Sequence, residues 1–344
     1  MTASQALLEV RDLAKHFTVT KGSPRPVTTT VRAVAGVSFA VTRGEAFGLV
    51  GESGCGKSTA ARALLRLIPP DAGRVRFADI DVTGAHGSTL QRLRRRMQIV
   101  FQDPYSSLNP RRTIGQALTE PLGVHSLARV RAARERAIAL LEEVGLPPSA
   151  YDRHPHEFSG GQRQRVGIAR APVCRTRTDR CRRAGFRTRR LGSGTGAPAA
   201  ERPASTARPD LRVRQSRSRV VWWFCSRVAV MYLGRVVESG PVARVFGAPR
   251  HPCTRMLRDA SPIPDPDLRG QMQRIVGEIP SAANPPAGCH FHPRCPRASD
   301  VCRTVYPEWR ADDDWGCGLS PSRGLISLSD RWRMFGVAPA SRVL

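Results

Sequence analysis

The sequence predicts an α/β protein in which a mostly parallel sheet presents a phosphate-binding turn, and three observations point there. An apolar run from Ala46 to Val50 leads into GLVGESGCGKST, residues 48–59. A helical stretch, Thr59 to Leu67, leaves it. The 344 residues exceed the roughly 250 to 300 that one hydrophobic core organises, so one large domain with an appendage is expected.

The turn carries Gly51, Gly56, Lys57 and Ser58 in the places a P-loop requires, between a strand and a helix. Across Gly51, Glu52, Ser53, Gly54, Cys55 and Gly56 the glycines let successive backbone N–H groups curl around phosphate oxygens. The helix that opens at Lys57, Ser58 and Thr59 adds partial positive charge at its N-terminus. Lys57 is expected to reach the terminal phosphates of a nucleoside triphosphate, and the Ser58 hydroxyl to ligate Mg2+.

Composition restricts the setting. The formal net charge of +27 would ordinarily point to nucleic acid. Between Pro172 and Arg219, however, fourteen arginines stand against three acidic residues, Asp179, Glu201 and Asp210, so one stretch supplies eleven of the surplus charges. No nucleic-acid partner is expected. MTASQALLEVRDLAKHF lacks the pattern of a cleaved leader, and no apolar run reaches about 18 residues, so a cytoplasmic protein without a membrane span is expected. Of nine cysteines, four cluster late, at Cys289, Cys295, Cys302 and Cys317. In a reducing compartment such a group reads as ligands for a four-iron four-sulfur cluster or a structural zinc, or as free, partly buried thiols.

Two further stretches narrow the P-loop reading. IVFQDPYSSLNPR (99–111) and FSGGQRQRVGIARA (158–171) resemble the Q-loop and signature motif of ATP-binding-cassette (ABC) ATPases. The resemblance implies ATP as ligand and a dimer in which Ser159, Gly160, Gly161 and Gln162, at a helix N-terminus, clamp the γ-phosphate of ATP held by a second ABC ATPase subunit. It implies that Gln102 senses the γ-phosphate and Mg2+. Phe17 falls where the family places an aromatic on adenine; a lone Phe there also suits a core position.

GEIPSAANPPAGCHFHPRCPRASDVC (277–302) resembles the C-terminal extension of ABC ATPases that drive oligopeptide, dipeptide and nickel importers, and FQDPYSSLNPR is typical of that branch. The partners so implied are two transmembrane permease subunits and an extracytoplasmic peptide-binding protein, with this chain peripheral at the cytoplasmic face of the plasma membrane. The expected division is a nucleotide-binding domain over 1–250, the extension over 251–320 and a tail over 321–344 that matches no pattern. Within the first, the N-terminal strands form an antiparallel β subdomain, and a helical subdomain runs from about Gln116 to Glu157.

After the signature, the family continues with an apolar strand ending in Asp-Glu (the Walker B motif), then a strand ending in a switch histidine. Neither appears between Pro172 and Arg219. A displacement of the reading frame accounts for this. Asp179 to Gly185 can be encoded so that reading one nucleotide later gives IVADEP, and Arg208 to Ser218 so that it gives DLTYVFVSHDL. The alternative is a basic insert that binds nucleic acid. As written, the segment has no apolar run to replace two core strands expected to flank the P-loop strand, so residues 172–219 are expected to lack ordered strands. Resequencing the locus is expected to show both displaced stretches in one alternative frame; a single undisturbed frame shared by close relatives excludes the displacement.

Overall fold

The structure is a computed structural model. It describes residues 6–21, 26–99, 108–170, 211–215, 221, 225–260, 277–312 and 315–318, with the backbone alone at 21 and 211–215. The first sheet has the order β2-β1-β4-β5, from β1 (Ala6–Lys21), β2 (Val27–Thr42), β4 (Ala72–Phe77) and β5 (Ile80–Asp81), antiparallel throughout. Valine and threonine dominate β2, as suits a long pleated strand. Val34, Val37 and Val41 are buried against Leu8, Val10 and Leu13 of β1.

The second sheet has the order β6-β3-β7-β8-β10-β9. At one end of that order, β6 (Leu211–Gln215), β3 (Glu45–Val50) and β7 (Arg227–Tyr232) run parallel. Alternation along β7 shows why: Ala229 and Met231 join the core shared with the first sheet, whereas Val228, Val230 and Tyr232 join a second core on the other face. A strand covered on both faces reads as a continuous apolar run, which is what VAVMYL is.

Two expectations are corrected. The described sheet is not mostly parallel: β8 (Arg235–Pro241), β10 (Trp315–Gly318) and β9 (Trp309–Asp312) are antiparallel, because β7 and β8 are joined by a two-residue turn at Leu233 and Gly234. The segment 172–219 is not devoid of strands: Leu211–Gln215 pairs in parallel register with β3, Glu45 opposite Leu211 and Leu49 opposite Gln215. The alternating Leu-Arg-Val-Arg pattern is compatible with a strand, and the pairing meets hydrogen-bonding groups along one edge of β3. The P-loop strand is thus flanked by one strand from inside the segment and one, β7, from beyond it. The remainder of 172–219, apart from these five residues, lies outside the described residues.

Helices complete the frame: α1 (Lys57–Leu64), α2 (Gly87–Arg96), α3 (Ile114–Val124), α4 (Val130–Glu143) and α5 (Gly160–Arg170). A reciprocal cap starts α3, with Gln116 N–H donating to Thr113 Oγ1 at 3.2 Å and Thr113 N–H to Gln116 Oε1 at 3.1 Å. Ile114, Leu118 and Leu122 of α3 pack with Ala137 and Leu141 of α4 and Val166 of α5, a helical core separate from both sheet cores. No helix among the described residues is long and apolar enough to cross a membrane.

The C-terminal part begins with α6 (Val242–Gly247) and α7 (Pro252–Asp259) and ends with α8 (Asp300–Thr304), β9 and β10. It is built onto the sheet, with Gly316 opposite Ser239 and Cys317 opposite Glu238. Glu238 is fully buried; its Oε1 accepts Arg250 N–H and Trp315 Nε1–H, each at 3.0 Å, and its Oε2 accepts His251 N–H at 3.0 Å. The His251-Pro252-Cys253 run is explained by the start of α7. His251 is the N-cap, its Nδ1 accepting Cys253 N–H at 3.1 Å, and Pro252 follows where no N–H is needed.

Burial alone lowers the pKa of His251 to about 4. Because the unfolded imidazole takes up its proton near 6.5, this contribution to stability is complete above that pH and is lost as pH falls toward 4. Denaturant titrations between pH 7 and 4 are expected to show about 3 kcal/mol of acid destabilisation that disappears in His251→Asn, which keeps an oxygen to cap α7.

Candidate functional site

The site grows from the end of β3. Buried Phe47 and Leu49 anchor the strand in one core and Val50 in the other, Phe47 stacked on Phe39 with ring centroids 4.8 Å apart. Residues 51–56 then form the turn into α1. Gly51 and Gly56 have φ of 153° and 104°, and a Cβ at Gly51 would collide with the Met231 carbonyl oxygen, one at Gly56 with that of Ala33. Only glycine fits where the turn is wedged between β7 and β2. Gly234 N–H, from the β7–β8 turn, donates to Cys55 O at 3.0 Å and fixes the loop from behind. Cys55 is buried, whereas Ser53, Gly54 and Ser58 are exposed on the open side.

Two features suit this turn to an anion. No side chain caps α1, and no acidic residue stands in its first turn, so the positive end of the helix faces the loop. Lys57 Nζ lies over the turn, donating to Gly51 O at 2.8 Å and Glu52 O at 2.6 Å, with Cys55 Sγ at 3.3 Å. A cation held on two carbonyls inside a ring of backbone N–H groups is the donor set a polyphosphate needs. Thr59 sits within the first turn of α1.

The second group of site residues lies on the helical unit. Ser159 precedes α5; Gln162 N–H donates to Ser159 Oγ at 3.3 Å while Ser159 N–H donates to Gln162 Oε1 at 3.0 Å. This reciprocal cap keeps the helix end formed while Ser159, Gly161 and Gln162 stay exposed. A Cβ at Gly160 or Gly161 would meet nothing within 4 Å, so the glycines leave open space outward. Val166 and Ala169 bury the opposite face of α5 in the helical core. Turn and signature thus belong to different packing units.

Phe17, on β1, is 40% exposed with Lys15 Nζ 5.6 Å from its ring centroid, which removes the core alternative for it. Gln102 lies outside the described residues. The late cysteines depart from the expectation of a cluster. No three His, Cys, Asp or Glu side chains among the described residues are gathered so as to hold a metal ion. Cys302 and Cys317 are buried, and Cys289 and Cys295 pack against the core around Phe291 and Trp315. Burial pushes the thiols of Cys289, Cys295 and Cys317 up, away from the thiolate that ligation needs. The residues as arranged therefore do not fit a metal group, and no chemistry is routed through one.

Sequence reasoning missed two residues that meet the turn from behind, Tyr232 of β7 and Arg294 of the extension, the latter paired with Glu52 at 2.9 Å. Arg294 lies inside the stretch 277–302, but nothing in its spacing tied it to a loop 242 positions away.

Comparison with known proteins agrees with this layout. A family described as "ABC transporter" matches residues 34–178, and one described as "Oligopeptide/dipeptide transporter, C-terminal region" matches residues 237–302. The chain is 41% identical to a putative peptide import ATP-binding protein of Brucella ovis, over 88% of this chain and 94% of that one. It is 38% identical to the di/tripeptide transport ATP-binding protein DppF of Pseudomonas aeruginosa, over 90% and 95%. The ATP-binding cassette MJ0796, in a dimeric post-hydrolysis state with ADP and Pi, shares the fold at a TM-score of 0.52 and 21% identity, over 68% of this chain and 98% of that one.

The wedge around the turn has a direct consequence. Gly56→Ala is expected to cost about 2 to 4 kcal/mol in denaturant unfolding, from the positive φ and the collision with Ala33, whereas Gly161→Ala, in open space, should cost under about 1 kcal/mol.

Proposed function

The chain belongs to the ABC transporter ATP-binding proteins, and from that premise we propose that it is the ATP-binding subunit of a peptide importer. The observation that carries this is the turn at 51–56, closed by glycines between β7 and β2 and opening onto the uncapped end of α1. Backbone N–H groups of residues 51–56 would hold the phosphates of ATP, Lys57 would turn from its two carbonyls to the terminal phosphates, and the Ser58 hydroxyl, with Gln102, would hold Mg2+. Mg2+, when bound, neutralises phosphate charge. Phe17 would lie against the adenine. The exposed signature at Ser159–Gln162 would face the nucleotide of a second ATPase subunit, identical or homologous, so that binding closes a dimer. Two transmembrane permease subunits and an extracytoplasmic peptide-binding protein complete the assembly, with this subunit at the cytoplasmic face of the inner membrane. The relatives' printed roles in peptide transport support the substrate class.

A second reading concerns the chain as written: it binds nucleotide but does not turn it over efficiently. Its segment 172–219 contains no Asp-Glu pair and no histidine, so the groups that would orient magnesium and the attacking water are missing. One observation favours the displaced-frame explanation. The ABC transporter match stops at residue 178, next to Asp179, where the displaced frame would give IVADEP. In that frame Leu211–Gln215 becomes YVFVS with histidine at position 216; as written, these five residues form β6, parallel to the P-loop strand, against the expectation that the segment lacks ordered strands.

Lys57→Ala is expected to weaken binding of ATP with magnesium at least tenfold in equilibrium titration, on the order of 1.4 kcal/mol or more. ATP turnover by the chain as written is expected to lie several orders of magnitude below that of a chain restored to the displaced frame. Equal turnover overturns the second reading, and unchanged binding overturns the first.

A further inference from the structure

Behind the turn lies an ion pair joining two distant parts of the chain. Arg294, in the His292–Arg294 turn of the extension, donates from Nη1 to Glu52 Oε2 at 2.9 Å, and the two side chains are only 2% and 7% exposed. The same nitrogen reaches the Tyr232 hydroxyl at 3.5 Å, with the guanidinium 5.9 Å from the Phe291 ring centroid and 6.0 Å from that of Tyr232. Glu52 is the second residue of the turn. Its carbonyl accepts Lys57 Nζ at 2.6 Å, so one residue is tied to the loop lysine by its backbone and to the extension by its side chain. Glu52 Oε1 is buried without a hydrogen-bond partner among the described residues, which leaves Arg294 as the cation beside this carboxylate.

A buried carboxylate next to a polyanion site is unfavourable by itself. Water cannot screen it, and its field acts on any phosphate brought to the turn. A guanidinium buried beside it offsets that field and fixes which way the carboxylate points. Arginine suits this place because it stays charged when desolvated and stacks on aromatic rings.

We propose that Arg294 is a positioning residue for nucleotide binding, by which the C-terminal extension supplies the counter-charge that holds Glu52 away from the phosphate cradle. The proposal rests on the nucleotide-binding reading above. It gives the extension a role in ATP affinity that neither its cysteines nor its place at the sheet edge would provide.

The test is equilibrium titration of the full chain with a fluorescent, non-hydrolysable ATP analogue and magnesium, for wild type, Arg294→Met, Glu52→Gln and the double variant. Arg294→Met is expected to weaken binding about tenfold or more, and the double variant to regain most of that loss, because removing the carboxylate charge removes the need for its partner. A purely structural role for Arg294 gives no such rescue. Equal affinity in wild type and Arg294→Met, or a double variant no tighter than Arg294→Met, overturns the proposal. Circular dichroism melting checks folding. Should Arg294→Met fail to fold, the same rescue comparison is made with Arg294→Gln, which removes the charge while keeping a polar side chain, alone and combined with Glu52→Gln. A wild-type chain that does not bind the analogue overturns the nucleotide-binding reading together with this proposal, whereas tight binding indifferent to Arg294 overturns this proposal alone.

Discussion

The structure is organised around a turn that has no room for side chains at two of its corners. Gly51 lies against the Met231 carbonyl of β7 and Gly56 against the Ala33 carbonyl of β2. The turn is therefore gripped by strands of both sheets, and its shape depends on their packing through Phe39, Phe47 and Met231. Backbone held this firmly can present several N–H groups at once without reorganising when an anion arrives, which is the physical basis of phosphate binding by main chain. The helical unit, with its own core, is not required to shape the turn and can carry the signature on an outward surface.

The C-terminal extension is part of the same body. Strands β10 and β9 continue the sheet beyond β8, and Glu238 joins the start of α7 to Trp315 through buried hydrogen bonds. Trp315 also stacks under Arg250, whose guanidinium lies 3.8 Å from the ring centroid and which pairs with Asp312 at 2.6 Å. Such a network is costly to leave half-satisfied, so it locks the extension in one pose. That pose is what carries Arg294 to the back of the nucleotide loop.

The segment between α5 and β7 combines two kinds of information. As sequence it contains no Asp-Glu pair and no histidine. As topology it still supplies the strand beside β3. A vacant parallel slot next to a buried strand is a strong constraint, since β3 would otherwise bury unpaired backbone groups, and backbone pairing is indifferent to side-chain identity in a way that catalysis is not.

The sequence by itself determined the turn, the strand before it, the helix after it and the capped signature helix, because these depend on local spacing: glycines at 51 and 56, Lys57 and Ser58, and Ser159 three residues before Gln162. It also disclosed the family, through stretches whose order is fixed along the chain. Tertiary structure decided the rest. The half-antiparallel sheet was completed by β10 and β9, which come from about 70 residues further along the chain to continue the β7–β8 hairpin. The fate of the late cysteines followed from packing around Phe291 and Trp315, and spacing alone cannot distinguish ligands from buried thiols. The contact between Glu52 and Arg294 spans 242 positions, and only the folded chain could show it, because no periodicity or motif encodes a pairing made by two surfaces that meet after each has formed.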